Sequence, residues 1–324
     1  AHADTDSDRF SNMTTAEVDT IFQSITTPKT DQEAERLPEA AHWRGARTRE
    51  YESHVANETF SVVDREPWMK PIYPVEVFRV KRHESGLLFK RRLCAGGSSM
   101  RPGVDFDETH SPTASMTSVR LILAASLDVL ASDGSVVPAV SLDVSTAYLN
   151  GELEHDVYMI APSWYPNVGR NQVLKVLKGL YGLPQSGRLW WQLIHQYLVS
   201  IGFTACVADP CLYVMQLASG RVFLLLYVDD IILVTPTSEV RISIIRKLTS
   251  RFRMRVLGPV TSFLGLDIHY GRSSVHISQK TYIGDLISRF NMTDAHPAPT
   301  PATTTRLTKS SCPEDGSAEQ ASMP

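Results

Sequence analysis

From Val222 to Val234 the chain is apolar except for two adjacent aspartates, Asp229 and Asp230, set in the middle of the run. The run is too short and too charged to cross a membrane, which takes about 20 apolar residues. It is also too continuous for a strand with one wet face, where apolar and polar residues alternate. What fits is a hairpin of two buried strands, Phe223 to Val228 and Ile231 to Val234, joined by a turn that carries both carboxylates. Two ionised aspartates at such a tip repel each other and lose hydration, and both effects raise their pKa unless a cation sits beside them. A divalent metal relieves that conflict, so the pair reads as functional rather than as a solvated turn.

A third isolated acid, Asp143, follows the apolar stretch Ala139 to Leu142 and precedes Val144 to Leu149. A strand ending in aspartate can aim its carboxylate at the tip of a neighbouring hairpin. Three oxygen donors converging from adjacent strands suit Mg²⁺, which leaves positions open for substrate phosphates. Such a site is expected to perform two-metal phosphoryl transfer.

The rest of the chain is read around this centre. With 324 residues, 43% hydrophobic and 21% charged, it can bury a sizeable core and is expected to form about two domains. The four cysteines, Cys94, Cys206, Cys211 and Cys312, include no C-x-x-C pair, so a disulfide framework or structural zinc is not expected. No signal peptide or membrane span is expected. The first residue is alanine rather than methionine, as in a piece of a longer reading frame or a processed product.

The net charge of -3 hides an asymmetry: residues 1–66 hold 14 acidic and 7 basic side chains, the remainder 21 and 25. Basic residues cluster between Arg79 and Arg101 and again between Arg241 and Arg255. Either cluster can neutralise phosphates, or can be a solvated rim.

Helices are expected over Ser115–Ala131, after Ser186 as N-cap, over Ser238–Phe252 and over Ser278–Phe290, the last with Tyr282, Ile283, Leu286, Ile287 and Phe290 as a core face. Strands are expected at Val75–Lys81, Leu87–Ala95, Ala139–Val144, Val222–Val234 and Ser262–Ile268. The polar, acidic start reads as a mobile leader and the Pro/Thr-rich end as a linker.

Six ordered segments carry a family resemblance. Tyr227-Val228-Asp229-Asp230 resembles the Y-x-D-D box of reverse transcriptases. Leu142-Asp143-Val144-Ser145-Thr146-Ala147-Tyr148-Leu149-Asn150-Gly151 and Leu177-Lys178-Gly179-Leu180-Tyr181-Gly182-Leu183-Pro184-Gln185-Ser186 resemble segments of the Ty1/copia retrotransposon branch. So do Phe263-Leu264-Gly265-Leu266-Asp267-Ile268, the block Gly103 to Thr109 with Ser111-Pro112, and the opening segment with Trp43, Ala46, Glu50, Asn57 and Thr59. The match covers about residues 43–292.

The resemblance implies an α+β right-hand polymerase with fingers, palm and partial thumb and a mixed or antiparallel palm sheet. Its parts would be a disordered acidic leader (1–42), fingers (43–135 and 165–205), palm (136–164 and 206–272), the start of a thumb (273–296) and a disordered linker (297–324). It implies an RNA-directed DNA polymerase domain of a retrotransposon polyprotein, acting on an RNA or DNA template-primer and deoxynucleoside triphosphates. Two Mg²⁺ ions, or Mn²⁺, would be held by Asp143, Asp229 and Asp230. Val144, Ser145, Thr146, Tyr148, Gln185, Lys81 and Arg92 would bind the nucleotide, with Tyr148 excluding the ribose 2′-hydroxyl. Phe263, Leu264 and Gly265 would form the primer grip.

RNase H and integrase parts are expected elsewhere in the polyprotein, and the setting is expected to be cytoplasmic, including virus-like particles. Val75-Glu76, Gly96-Gly97, Met100 and His110 depart from the family pattern, all in the fingers. A catalytically decayed nucleic-acid-binding remnant of the same fold therefore stands as the alternative.

Overall fold

The computed structural model describes residues 21–296 apart from Gln23, Glu84 and Ser85. The expected linker and the first 20 residues of the expected leader lie outside the described residues. The chain divides into two compact units, one of residues up to 125 with 139–258, the other of 126–138 with 259 onward.

In chain order the first unit contains helix α1 (Ala40–Ala56) and strands β1 (Phe60–Asp64), β2 (Pro74–His83) and β3 (Gly86–Ala95). Helix α2 (Met116–Ala125) and strands β4 (Val140–Val144), β5 (Glu152–Met159) and β6 (Gln172–Lys178) follow. Then come α3 (Ser186–Ser200), β7 (Thr204–Ala205), β8 (Leu212–Leu217), β9 (Gly220–Tyr227), β10 (Asp230–Val234), α4 (Ser238–Arg251) and β11 (Met254–Pro259).

The apolar run with its two aspartates is the β9–β10 hairpin, at the centre of a six-stranded sheet ordered β11-β4-β10-β9-β8-β7. Its strands are apolar almost throughout because both faces are covered. Leu142, Leu224, Leu226, Ile231 and Leu233 meet Trp190, Ile194 and Leu198 of α3 and Ile244 and Leu248 of α4. Leu225 and Ile232, cross-strand partners of opposite facing, are equally buried, and α2 packs on β9 and β10. The registers of β10 with β9 and with β4 are antiparallel, and the second places Asp230 directly opposite Asp143. A second sheet, β1-β6-β5, encloses its own core around Met159, Leu174 and Val176.

Strands β2 and β3 form a separate antiparallel hairpin whose two faces differ. Phe78, Leu87 and Phe89 pack on Trp43 and Ala46 of α1, the indole meeting the two phenyl rings edge-on at 5.5 and 4.8 Å. Arg79, Lys81, Lys90 and Arg92 lie on the opposite face, because residues two apart on a strand, and residues directly paired across it, share a side.

That alternation corrects the reading of Arg79 to Arg101 as one phosphate-facing cluster. Arg91 falls on the apolar side, 2% exposed, between the rings of Phe78 (4.9 Å) and Trp164 (4.8 Å). It ion-pairs with Glu76 and, at 2.6 Å, with Asp31. Arg101 donates to Asp105 instead.

The same contact corrects the leader. Asp31–Ala34 forms one helical turn capped by the Thr30 hydroxyl, and Asp31 also accepts from Arg47. A buried guanidinium needs carboxylate partners, so Arg91 draws this acidic segment into the fold.

Three further boundaries differ from expectation. The helix expected to reach Ala131 ends at Ala125 and passes into a 3₁₀ turn, Ser126–Asp128. Ser186 is the first residue of α3 rather than its cap, since its hydroxyl donates to the carbonyl and accepts from the N–H of Leu180, both at 2.8 Å. The strand expected over Ser262–Ile268 is split by a turn at Leu264-Gly265, both at positive φ.

The second unit accordingly holds β12 (Ser262–Phe263), β13 (Leu266–Tyr270), β14 (Val275–Ser278) and helix α5 (Lys280–Arg289). The face of α5 expected as core is exposed, with Tyr282 at 50% and Phe290 at 45%. No helix among the described residues is long and apolar enough to cross a membrane.

Candidate active site

The hairpin turn is built against its sequence preference. Val228 sits at φ +55, a region that β-branched residues strongly avoid, and it is held there from outside. The Trp190 indole N–H, buried under the turn, donates to the Val228 carbonyl at 2.6 Å, and the Val144 N–H donates to the Asp229 carbonyl at 2.7 Å. On the other side of β4 the Ser145 N–H donates to the Arg253 carbonyl at 2.8 Å. The backbone bearing Asp143 and Asp229 is thus tied to the sheet, and Trp190 is one of the core's largest buried side chains.

Asp143 and Asp229 line one cavity of about 350 Å³, within the size range of small-molecule sites. Val144, Ser145 and Thr146 line it beside them, and Lys81, Lys90 and Arg92 bring three cations to it from the hairpin. The Arg92 guanidinium lies 4.3 Å over the Tyr181 ring, and the Tyr181 carbonyl accepts from the Ala95 N–H at 2.7 Å. Gly182 makes this approach possible, because a Cβ there would overlap the Ala95 carbonyl oxygen.

The electrostatics are those of crowded carboxylates. Burial, then the charges of Asp229 and Asp143, push Asp230 up to about 6, against the pull of Lys81. Burial, then Arg92 and Lys81, lowers Lys90. Burial also lifts the Tyr181 hydroxyl to about 12.

The donor set, three carboxylates from neighbouring strand ends, fits a hard divalent cation by its chemistry. A guanidinium already stands at one of those oxygens: Arg255 of β11 donates to Asp143 Oδ1 from Nε at 3.1 Å and Nη2 at 3.0 Å. Among the described residues no group of three or more histidine, cysteine, aspartate or glutamate side chains stands in metal-holding geometry.

Other expected residues lie differently. Tyr148 is half-buried, its ring 4.6 Å from that of Tyr181, and its hydroxyl is raised by burial and by Asp229 while Arg92 opposes. Gln185 lines a different cavity, with Glu154, His155 and Arg188, and is buried with its Oε1 unpartnered. Phe263, Leu264 and Gly265 form the β12–β13 turn of the second unit.

Lys90, Tyr181, Glu50 and Arg255 belong to the cavity without having been singled out for a role from sequence. Lys90 was findable, since it stands two residues from Arg92 on one strand. Arg255 carries no local signal.

These features define an α+β domain with its acids on one sheet and its cations on a hairpin that lines the same cavity. A model of the family described as reverse transcriptase (RNA-dependent DNA polymerase) matches residues 57–304, and the chain belongs to that family. It is 35% identical over 263 residues to the retrovirus-related Pol polyprotein from transposon RE1 of Arabidopsis thaliana, covering 80% of this chain and 18% of the relative. It is also 35% identical over 295 residues to the corresponding polyprotein from transposon TNT 1-94 of Nicotiana tabacum, covering 88% and 22%.

The relatives bear out the Ty1/copia-type resemblance. The chain spans about a fifth of the length of these polyproteins. A solved structure of the foamy viral protease-reverse transcriptase in complex with dsDNA is similar over 77% of this chain and 48% of that one, with 13% identity and a TM-score of 0.37.

Proposed function

We propose that this chain is the RNA-directed DNA polymerase part of a Ty1/copia-type retrotransposon polyprotein, extending a primer with deoxynucleotides on an RNA or DNA template. The observation that carries the reading is the shared cavity of Asp143 and Asp229 with Lys81, Lys90 and Arg92. In this reading residues 43–135 and 165–205 are the fingers, 136–164 and 206–272 the palm, and 273–296 the start of the thumb, with Phe263, Leu264 and Gly265 as primer grip.

Asp143 and Asp229, supported by Asp230, would hold two Mg²⁺ ions or Mn²⁺, which would supply activation of the primer 3′-hydroxyl and offset charge on the triphosphate. Arg255 would have to give up its pair with Asp143 for an ion to be held there. Lys81, Lys90 and Arg92 bind the triphosphate oxygens through charge-assisted hydrogen bonds. Tyr148, braced by Tyr181, lies under the sugar and excludes a 2′-hydroxyl. Gln185, with its unpartnered oxygen, contacts the nucleotide.

A second reading, a nucleic-acid-binding remnant without catalysis, is favoured by the Arg255–Asp143 pair, which occupies a metal-ligand oxygen. Primer extension on an RNA template with Mg²⁺ or Mn²⁺, run beside duplex binding, decides between them. Extension supports the polymerase; binding without extension supports the remnant; neither, on folded protein, sinks both.

A further inference from the structure

The β2–β3 hairpin is a two-stranded sheet, and among the described residues no strand pairs with the outer edge of β3. A two-stranded ribbon is marginal by itself, and an open edge leaves outward N–H and C=O groups at every second residue. On β3 three of those groups have partners outside the hairpin. The Phe89 carbonyl accepts from Arg49 Nη2 at 3.2 Å, and the Leu93 N–H donates to Glu50 Oε1 at 2.8 Å. Further along, the Ala95 N–H reaches the Tyr181 carbonyl.

Arg49 and Glu50 are consecutive on α1, so one helical turn bonds β3 at two points four residues apart. Between those points lie Lys90 and Arg92, the cations aimed at the aspartates. Glu50 also borders the cavity itself, and α1 packs on β3 through Trp43.

We propose that Arg49 and Glu50 are positioning residues that clamp the open edge of β3 and thereby hold Lys90 and Arg92 at the height required to grip the triphosphate of an incoming deoxynucleotide. This assignment rests on the polymerase reading. The clamp acts through hydrogen bonds to backbone, so its loss loosens the cations without altering the carboxylates. Binding of the triphosphate suffers and the chemical step does not.

The test uses the whole chain with three variants, Glu50→Ala, Glu50→Gln and Arg49→Ala. Glu50→Ala is expected to raise KM for deoxynucleotide about tenfold, the scale of one lost charge-assisted hydrogen bond, with kcat within about twofold of wild type. Amide exchange at Leu93 should accelerate in the same variant. Glu50→Gln, which keeps an acceptor oxygen, should recover most of both effects, and Arg49→Ala should show a smaller rise in KM.

A wild-type KM with Leu93 still protected in folded Glu50→Ala overturns the clamp, as does a fall in kcat with KM unchanged. Titration calorimetry with a deoxynucleoside triphosphate and Mg²⁺ separates the two levels. No triphosphate binding by the wild-type chain, with Leu93 exchange still responding to Glu50→Ala, overturns the polymerase reading and reduces the clamp to a structural contact.

Discussion

The cavity has two walls built on opposite principles. The aspartate wall belongs to a six-stranded sheet covered on both faces, its turn fixed by backbone and indole hydrogen bonds. The cation wall is a two-stranded ribbon buried on one face only, its outer edge held by single side chains and one loop carbonyl. A close-packed interior is barely compressible and tolerates little change. A ribbon on side-chain struts can shift by small steps. On the polymerase reading, ion binding would fall on the doubly covered wall and phosphate binding on the ribbon.

The sharpest way to break this comparison is to remove charge from the stiff wall. Asp143→Asn or Asp229→Asn should lower primer extension by roughly 100-fold or more with circular dichroism unchanged, because residues of one ion site act as a unit. A loss within about tenfold, ~1.4 kcal/mol, would take both residues out of the mechanism.

Next in size is Gly182→Ala, where a methyl group meets the Ala95 carbonyl and φ is +92. Strain of this kind costs on the order of 1–3 kcal/mol per residue and more with overlap, readable as a lower urea midpoint. Unchanged stability would mean that the Tyr181 loop is not fixed to the hairpin.

Tyr148→Val should raise ribonucleotide use relative to deoxynucleotide use by about tenfold, the scale of discrimination that pocket shape commonly supplies. Equal selectivity before and after returns Tyr148 to the role of a packed aromatic.

On the adjustable wall, Lys81→Ala or Arg92→Ala should raise KM several-fold, roughly 3 to 10, with little change in kcat. A kcat effect as large as that of the aspartates would erase the distinction between the walls.

A last effect, on stability rather than catalysis, concerns Asp209, which anchors the start of α2 by accepting from the Ser115 and Cys211 N–H groups and the Ser118 hydroxyl. Burial pushes its carboxyl up, but these hydrogen bonds outweigh burial and hold it below its ordinary 3.8. A depressed folded pKa stabilises the fold at pH above the unfolded value and loses that contribution as pH falls through the folded one. Asp209→Asn should therefore cost about 1–2 kcal/mol at neutral pH, and the gap to wild type should close as pH drops below 3.8. A gap that stays constant into acid refutes the ionised anchor.

The two walls were not equally legible in the sequence. The apolar run around Asp229-Asp230 announces a doubly covered sheet, and Asp143 at a strand end is a local signal of the same kind. The cation wall depends on facing, and counting charges between Arg79 and Arg101 puts Arg91 beside Arg92 although strand alternation sends them to opposite sides. The partner that settles Arg91, Asp31, lies 60 residues away, and no local pattern connects them. Arg255 reaches Asp143 across 112 positions and is equally silent. The expected core face of α5 failed for a different reason: periodicity shows that a face is apolar, not that something covers it.

Arg91 also bears on where the folded body starts. A motif search draws the beginning near Trp43, and the family match begins at residue 57. A polypeptide shortened to either point would keep the aspartates and lose Asp31, leaving a guanidinium sealed between Phe78 and Trp164 with Glu76 as its remaining carboxylate partner. Asp31 is one of two carboxylates on this buried cation, so its loss should cost part of the roughly 3–5 kcal/mol that breaking a buried pair outright costs. The shortest stretch that carries the aspartates and the shortest stretch that keeps Arg91 fully paired are different lengths, and an acidic turn at the amino end separates them.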